Sequence, residues 1–246
     1  MEYGNLKEAL RYLVELGEEG AKPEVLDING KTYCTKNLTR YDKEEMAEPL
    51  KAASLTALVD YIKNEQHELR GNTIIQIVSP EKVKLISSLT KERNRECLFE
   101  TNTNPNGFRF DNYYNQEDFI INMQAGFQKT DDLILLLQVA GNVENKATAS
   151  YGDDGVSQKT TIKKGIASKV DVVVPNPVVL APYRTYLEVD QPESEFVFRI
   201  GEDRDGSPIF KLVGADGGLW KYEAVEAIKT YLKEELKDID DITIIG

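Results

Sequence analysis

The chain has 246 residues, which is enough for one large domain or two small ones. Hydrophobic residues make up 41% of it, so a core can be buried, and its net charge of -12 opposes non-specific attraction to DNA, RNA or an anionic membrane. Two cysteines exclude a disulfide scaffold and fit a reduced compartment, while a single histidine excludes a metal site built from several histidines of one chain.

The beginning of the chain predicts no targeting segment. MEYGNLKEALRYLVELGEE lacks a basic stretch followed by a long apolar run, so we expect no signal peptide. The longest apolar run is Leu133–Leu137, far shorter than the roughly 20 residues that span a bilayer. These patterns predict a soluble cytoplasmic protein without a membrane partner.

The first 70 residues predict a helix, a hairpin and a second helix. Residues 4–17 have leucines at helical spacing on one face, and Gly17 and Gly20 are expected to end that helix. Asn29-Gly30, between two short runs of strand-forming residues, is a strong hairpin signal. Ser54 is suited to cap the second helix. We therefore predict an N-terminal domain over 1–70.

The middle of the chain predicts three strands and two helices. TIIQIV (73–78), KVKLISSL (82–89) and Cys97–Glu100 read as a small antiparallel meander. Asn115 and Thr130 are candidate caps of two helices, the second of which is apolar nearly all round and should lie centrally.

The rest of the chain predicts mostly strands. GEDRDGSP is flanked by two strand-like runs, Gly217-Gly218 precedes an amphipathic helix, and the tail DIDDITIIG is expected to add an edge strand to its own sheet or to a neighbouring chain. Strands grouped with strands and helices with helices predict an α+β fold with antiparallel sheets, several packed helices and a C-terminal amphipathic helix. We predict a main α+β domain over 71–246, with one continuous domain over the whole chain as the alternative.

The segment SYGDDGVSQKTTIKKG (150–165) suggests a phosphate-binding loop at first sight. A Walker loop needs Gly, four residues, then Gly-Lys-Ser/Thr. Here Gln158 precedes Lys159-Thr160, and Asp153 stands where the first glycine should be. TTIKKG favours a strand, so no helix start is expected to present its N–H groups. We predict a β-hairpin turning at Gly-Asp-Asp-Gly, with a specific binding arm as the alternative, because five lysines and only two acids lie between 146 and 169.

Other candidate sites are weaker. Aligned on Gly206, an EF-hand frame would place Gly201 first and Leu212 twelfth, and neither residue is a calcium ligand. FRFDNYY (108–114) could stack nucleic-acid bases or close a core from a loop. His67, at the polar end of a predicted helix, is interpreted as a surface histidine. The sequence thus predicts no catalytic residues, no metal and no cofactor, and leans away from an enzyme.

Three longer blocks carry a resemblance to a known family. They are YGDDGVSQKTTIKKGIASK (151–169), PNPVVLAPYRTYLEVDQPESEFVFRI (175–200) and ADGGLWKYEAVEAIKTYLKEEL (215–236). Together with NGKTYCTKNLTR (29–40) and LTALVDYIKN (55–64), they resemble an uncharacterised YfdQ-like protein family of phages and prophages of Gram-positive bacteria. The resemblance implies a phage-encoded protein of the host cytoplasm, and it transfers no active-site residue.

These observations favour a non-enzymatic, homo-oligomeric binding protein acting in host takeover or counter-defence. Its target would be a host protein or an anionic nucleotide. Arginine pairs with phosphate through two hydrogen bonds, and tyrosine can stack on a base. The candidate ligand-binding residues are Lys159, Lys163, Lys164, Tyr183, Arg184 and Arg199. The alternative is a nucleic-acid factor in phage replication or recombination, which the net charge disfavours.

Overall fold

The structure is a computed structural model, and it describes residues 3–37, 45–69, 71–105, 107–143, 157–163 and 169–246. The helices of this part of the chain are α1 (Tyr3–Ala21), α2 (Leu55–Asn64), α3 (Gln116–Gly126), α4 (Asp131–Asn142) and α5 (Leu219–Glu235). Its strands are β1 (Val25–Ile28), β2 (Lys31–Cys34), β3 (Leu50–Ala52), β4 (Thr73–Ser79), β5 (Lys82–Ile86), β6 (Cys97–Asn102), β7 (Tyr114–Asn115), β8 (Ser157–Lys163), β9 (Lys169–Pro175), β10 (Val178–Leu180), β11 (Ser194–Glu202), β12 (Pro208–Gly214) and β13 (Ile242–Ile245).

Two compact units divide the chain, one over residues 1–46 and one over 47–246. The sequence-based division at residue 70 differs from this one, because α2 packs within the larger unit. In the smaller unit, β1 and β2 form the predicted hairpin, and Asn29 and Gly30 both have positive φ, at 52° and 73°. The prediction that Gly17 ends the first helix was wrong, since α1 continues to Ala21.

The first sheet of the larger unit has five strands in the order β13-β4-β5-β6-β3. Its centre is the predicted antiparallel meander β4-β5-β6, and both edge strands run parallel to their neighbours. Helices α2 and α5 pack against it. The buried hydrophobic residues of this core are Leu55, Leu58, Val59, Ile62, Ile75, Ile77, Val83, Leu85, Leu98, Phe99, Tyr186, Val189, Ile228, Leu232 and Leu236.

The second sheet of the larger unit has four antiparallel strands in the order β10-β11-β12-β7. Helices α3 and α4 are capped as predicted, because the side chain of Asn115 accepts from the Asp118 N–H and that of Thr130 from the Leu133 N–H. Phenylalanines dominate the core beneath them. Its buried residues are Phe108, Phe119, Met123, Phe127, Leu133, Leu136, Val139, Ala140, Val174, Val178, Leu180, Phe196, Phe198, Ile200, Phe210 and Leu212.

The predicted α+β class is confirmed, with sheets that are antiparallel apart from two parallel edges. The hairpin β11–β12 forms as predicted from GEDRDGSP, and the Asp203 carboxylate accepts from the N–H groups of Asp205 and Ser207 inside its turn. The C-terminal tail joins its own sheet as β13. Within the described ranges, the helices are all too short or too polar to cross a membrane.

Candidate functional site

The lysine-threonine segment forms a strand. Lys159 and Lys163 lie on β8, which pairs antiparallel with β9, and Thr160 is opposite Val172 in the middle of the pair. A helix therefore does not begin at Thr160, and the expectation of strand structure is confirmed. Lys164, the Gly-Asp-Asp-Gly turn and the proposed first strand of that hairpin lie outside the described residues.

Arg184 lies between a sheet and a helix. Its guanidinium carbon is 4.1 Å from the ring centroid of Trp220 and 5.8 Å from that of Phe196. One terminal nitrogen donates to the Ser194 hydroxyl at 2.5 Å and to the Pro192 carbonyl at 3.2 Å. Burial lowers the pKa of Arg184 to about 10. These contacts hold the guanidinium in place, although its buried Nε makes no hydrogen bond within the described residues, and its role in this structure is to attach the start of α5 to β11.

Asp216 completes this attachment at the start of α5. Its carboxylate accepts from the N–H groups of Gly218 at 3.0 Å and Trp220 at 3.4 Å. Burial alone would raise the pKa of Asp216, but these hydrogen bonds, one from Ser194 and the charge of Arg184 outweigh it, so the pKa lies below its ordinary value. The carboxylate thus stabilises a helix start, where negative charge is favourable.

Arg199 lies elsewhere on the same sheet. It is half-buried on the face of β11 opposite the core, directly across from Lys211 of β12, and it donates to the Phe198 carbonyl at 3.2 Å. Tyr183 and Arg184 were both predicted to bind a ligand, and they are neighbours in the chain. Their side chains lie in different surroundings, because Arg184 contacts Trp220 whereas Tyr183 lines a cleft.

Tyr183 lines a cleft, as its prediction as a ligand-binding residue requires. This Tyr183 cleft has a volume of about 470 Å³ and is lined by Thr103, Asn104, Pro105, Ala125, Tyr183, Thr185 and Leu187. The backbone positions Tyr183 beside α3, because its N–H donates to the Gly126 carbonyl at 2.9 Å. Leu187 is 77% exposed, so it adds apolar surface to this cleft.

A second cleft adjoins the first. This Arg109 cleft has a volume of about 530 Å³ and is lined by Gly107, Phe108, Arg109, Tyr114, Asp118, Asn122, Ala125 and Gly126. Ala125 lines both clefts, so they meet at α3. Within the described residues, the exposed guanidinium of Arg109 makes no hydrogen bond and no ion pair.

Buried polar contacts make the segment that carries Tyr183 and Leu187 rigid. The Gln191 side-chain oxygen accepts from the N–H groups of Arg184 and Thr185, and its nitrogen donates to the carbonyls of Tyr186 and Val189. The Thr185 hydroxyl donates to the Pro80 carbonyl at 2.5 Å. Because such buried amides have few alternative partners, the segment is fixed before any ligand arrives.

The Tyr186 hydroxyl adds the deepest of these contacts. It lies 2.7 Å from the Thr101 hydroxyl and within 3.0 Å of the carbonyls of Glu81 and Thr101. Burial raises the pKa of Tyr186 to about 12. The segment that carries Tyr183 and Leu187 is therefore connected directly to β6 and to the turn between β4 and β5.

The two clefts are suited to binding. Their described lining residues include one carboxylate, Asp118, and neither histidine nor cysteine, so they hold no acid–base pair and no thiol nucleophile. They do hold three aromatic rings, exposed aliphatic groups and one cation, Arg109, that is unpaired within the described residues.

One group of described side chains could hold a metal ion. The ligand atoms of Glu65, His67 and Glu68 lie within 4.8 Å of one another, on an exposed 3₁₀ turn. His67 is 75% exposed, which fits its interpretation as a surface histidine, and it lies 3.5 Å from Glu65. Glu68 already accepts a 2.6 Å hydrogen bond from Tyr61, whose pKa is raised by burial and by this contact. The prediction of no metal stays a prediction.

The chain was compared with known protein families, with curated proteins and with solved structures, and none of the three comparisons gave a match.

Sequence reasoning had singled out FRFDNYY, but it did not single out Arg109 or Leu187. The structure places Phe108 in the second core and Phe110 against it, which confirms the reading of a loop that closes a core. Arg109 lies between these two phenylalanines and its side chain is exposed. The alternation of apolar and charged residues in FRF was the signal for this outward position.

Proposed function

We propose that this protein is a phage-encoded accessory protein of the host cytoplasm that acts, as a homo-oligomer, by binding a host protein rather than by catalysis. Host takeover or counter-defence would be the purpose of that binding. The phage origin is supported by the sequence resemblance described above. The binding role is supported by one observation, the adjoining Tyr183 and Arg109 clefts, which combine exposed apolar surface with an unpaired cation.

The composition of the clefts suits an extended segment of a partner protein. Tyrosine and arginine are the residue types that most often dominate binding energy at protein interfaces. Leu187 and Pro105 add apolar surface beside Tyr183. We infer a segment with an apolar side chain in the Tyr183 cleft and a carboxylate on Arg109, since arginine pairs with carboxylates through two hydrogen bonds.

Selection from a random peptide library tests this proposal. Peptides of random sequence are selected on the full-length protein, and the enriched ones are titrated by fluorescence anisotropy. We expect an apolar residue followed or preceded by an acidic one, and at least about tenfold weaker binding to Arg109→Gln and to Leu187→Asp. Tyr222→Asp is the matched control, because Tyr222 is 66% exposed and lines neither cleft.

The outcome of the selection decides the proposal. If no peptide is enriched, or if enriched peptides bind both cleft variants as tightly as the control, the cleft is not the binding surface. Peptides whose affinity depends on Arg109 and not on Leu187 would point to charge alone.

An anionic nucleotide is the second candidate, favoured by the combination of Tyr183 with Arg109. A base would stack on the tyrosine and a phosphate would pair with the guanidinium. Calorimetric titration with ATP and with GTP tests it. Saturable binding that is lost in Arg109→Gln would support this candidate over a protein segment, whereas no heat at millimolar nucleotide would remove it.

A further inference from the structure

Helix α1 carries an exposed apolar stripe. Leu6, Leu10, Leu13, Gly17 and Gly20 follow one another at alternating spacings of four and three residues, so they lie along one side of the helix. We call these five residues the α1 stripe. Each of its three leucines is more than half exposed.

The described residues of the unit that contains α1 form no buried core. Every described side chain from residue 5 to residue 37 is exposed. Within it, Lys36 attaches β2 to the end of α1 by donating to the carbonyls of Gly20 and Ala21. An isolated two-stranded hairpin is marginal in water, and most of the stability of a helix in a protein comes from packing of its apolar face. A stable unit of this kind needs apolar contact with another surface.

Two glycines of the stripe point to what that surface is. Glycine inside a helix destabilises it relative to alanine. A Cβ added to Gly17 or to Gly20 would meet no neighbouring atom within 4 Å among the described residues, so packing within the chain does not require a glycine at either position. Glycine on a helix surface does permit the close approach of a second helix.

We propose that the α1 stripe packs antiparallel against the α1 stripe of a second copy of this chain. In that orientation Leu10 lies opposite the partner's Leu13. Leu6 then lies opposite the partner's Gly17, so the large side chains of one N-terminal half meet the small residues of the other C-terminal half. The interface is the same patch on both subunits, as a twofold dimer requires.

Charge favours the same orientation. The N-terminal half of α1 carries Lys7 and Arg11 with one acid, and the C-terminal half carries Glu15, Glu18 and Glu19. An antiparallel pair brings the basic half of one helix to the acidic half of the other. A parallel pair would instead bring the two acidic halves to the same end of the dimer, and because these side chains lie outside the α1 stripe the repulsion acts at long range and weakens with salt.

Sedimentation velocity on the full chain tests the proposal with a matched pair of variants. Leu13 and Tyr12 are neighbours and equally exposed, at 62%, but Tyr12 lies outside the α1 stripe. We expect a concentration-dependent dimer for the unsubstituted protein. Leu13→Glu should raise its dissociation constant by at least about 100-fold, because two charges would enter the interface, and Tyr12→Glu should change it by less than about threefold. A monomer at about 100 µM, or equal effects of both variants, overturns the proposal.

Disulfide trapping tests the orientation, and it does not depend on how Leu13→Glu folds. Proteins carrying Leu6→Cys and Gly17→Cys, each with Cys34→Ser and Cys97→Ser, are mixed and oxidised. Antiparallel packing gives a heterodimer linked between positions 6 and 17. A Leu6→Cys protein that links to itself instead shows parallel helices, and the absence of any link overturns the pairing.

This inference rests on the homo-oligomeric part of the proposed function and is independent of the clefts. The Leu13→Glu protein should bind a selected peptide with the same affinity as the unsubstituted protein. The exception is a peptide ligand that occupies both sites of the dimer at once, which would gain avidity only with the unsubstituted protein. Loss of the dimer with peptide binding retained, or the reverse, tells which of the two proposals has failed.

Discussion

Removing the hydroxyl of Tyr186 should destabilise the larger unit measurably. Tyr186→Phe keeps the ring, so the volume of the core hardly changes. It removes the hydrogen bond with the Thr101 hydroxyl at 2.7 Å and one to a carbonyl at 2.9–3.0 Å. Each such bond contributes about 1 kcal/mol net, and the buried Thr101 hydroxyl that loses its partner adds about 1 kcal/mol. We expect the free energy of unfolding to fall by about 2–3 kcal/mol.

Urea unfolding at neutral pH, followed by the fluorescence of the single tryptophan, measures this loss. Trp220 lies in the same unit as Tyr186, so it reports the relevant transition. Tyr222→Phe is the control, because its exposed side chain should matter by less than about 0.5 kcal/mol. A loss no larger than that of the control would show that water replaces the hydroxyl at no cost and would refute the reasoning.

Comparison of the unsubstituted protein with Tyr186→Phe gives a second, pH-dependent readout. The pKa of Tyr186 is about 12 in the folded protein, against an ordinary value of 10.0 that we assign to the unfolded chain. The folded state therefore retains a proton that the unfolded state loses. The contribution of the hydroxyl to stability is complete below pH 10.0 and disappears as the pH rises to about 12. The stability difference between the two proteins should shrink over that window.

Three further predictions concern Arg184, Glu100 and Cys97. Arg184→Lys loses the contact between the guanidinium and the ring of Trp220, so it should reduce the free energy of unfolding by about 1–2 kcal/mol and shift the tryptophan emission. Unchanged emission would contradict the contact between these two side chains. Hydrogen bonds from two lysines hold the pKa of Glu100 below its ordinary value of 4.5, so its contribution is present above that pH and is lost on acidification; Glu100→Gln should show a flatter fall of melting temperature in acid. Burial raises the pKa of Cys97, so iodoacetamide should modify exposed Cys34 first in the native protein, and the opposite order would be inconsistent with the fold.

Local sequence signals correctly predicted the hairpin turn and the helix caps, which depend on residues close together in the chain. Asn29-Gly30 specified a hairpin because both residues tolerate positive φ. Ser54, Asn115 and Thr130 were recognised as caps because a short side-chain oxygen there can accept from an N–H of the first turn, and all three do so. In each case the partner lies within three residues, so no tertiary contact is needed.

Elements whose partners are distant in the chain were harder to predict. Residues 50–52 form an edge strand parallel to β6, but three residues are too few to show an alternating pattern. The C-terminal tail was predicted as an edge strand of this sheet or of another chain, and only its parallel pairing with β4 decides between them.

The candidate site could also be predicted only in part, because some of its contacts join residues that are distant in the chain. A tyrosine in a proline-rich segment suggested a binding residue, and Tyr183 does line a cleft. The sequence could not show that its neighbour Arg184 has a different, structural role. The ring of Trp220 that holds the guanidinium is 36 positions further along the chain. Arg109 is unpaired because no carboxylate of the described residues contacts it, and no local pattern encodes that.

The segment between β10 and β11 has a consequence for how the larger unit comes apart. Tyr186 and Val189 belong to the core of the five-stranded sheet, whereas Leu180 and Phe196, on the flanking strands, belong to the core of the four-stranded sheet. Neither sheet can open without pulling this shared stretch out of the other. Residues 47–246 should therefore melt in one cooperative calorimetric transition despite having two hydrophobic cores, and both halves should sense a ligand that rigidifies the stretch.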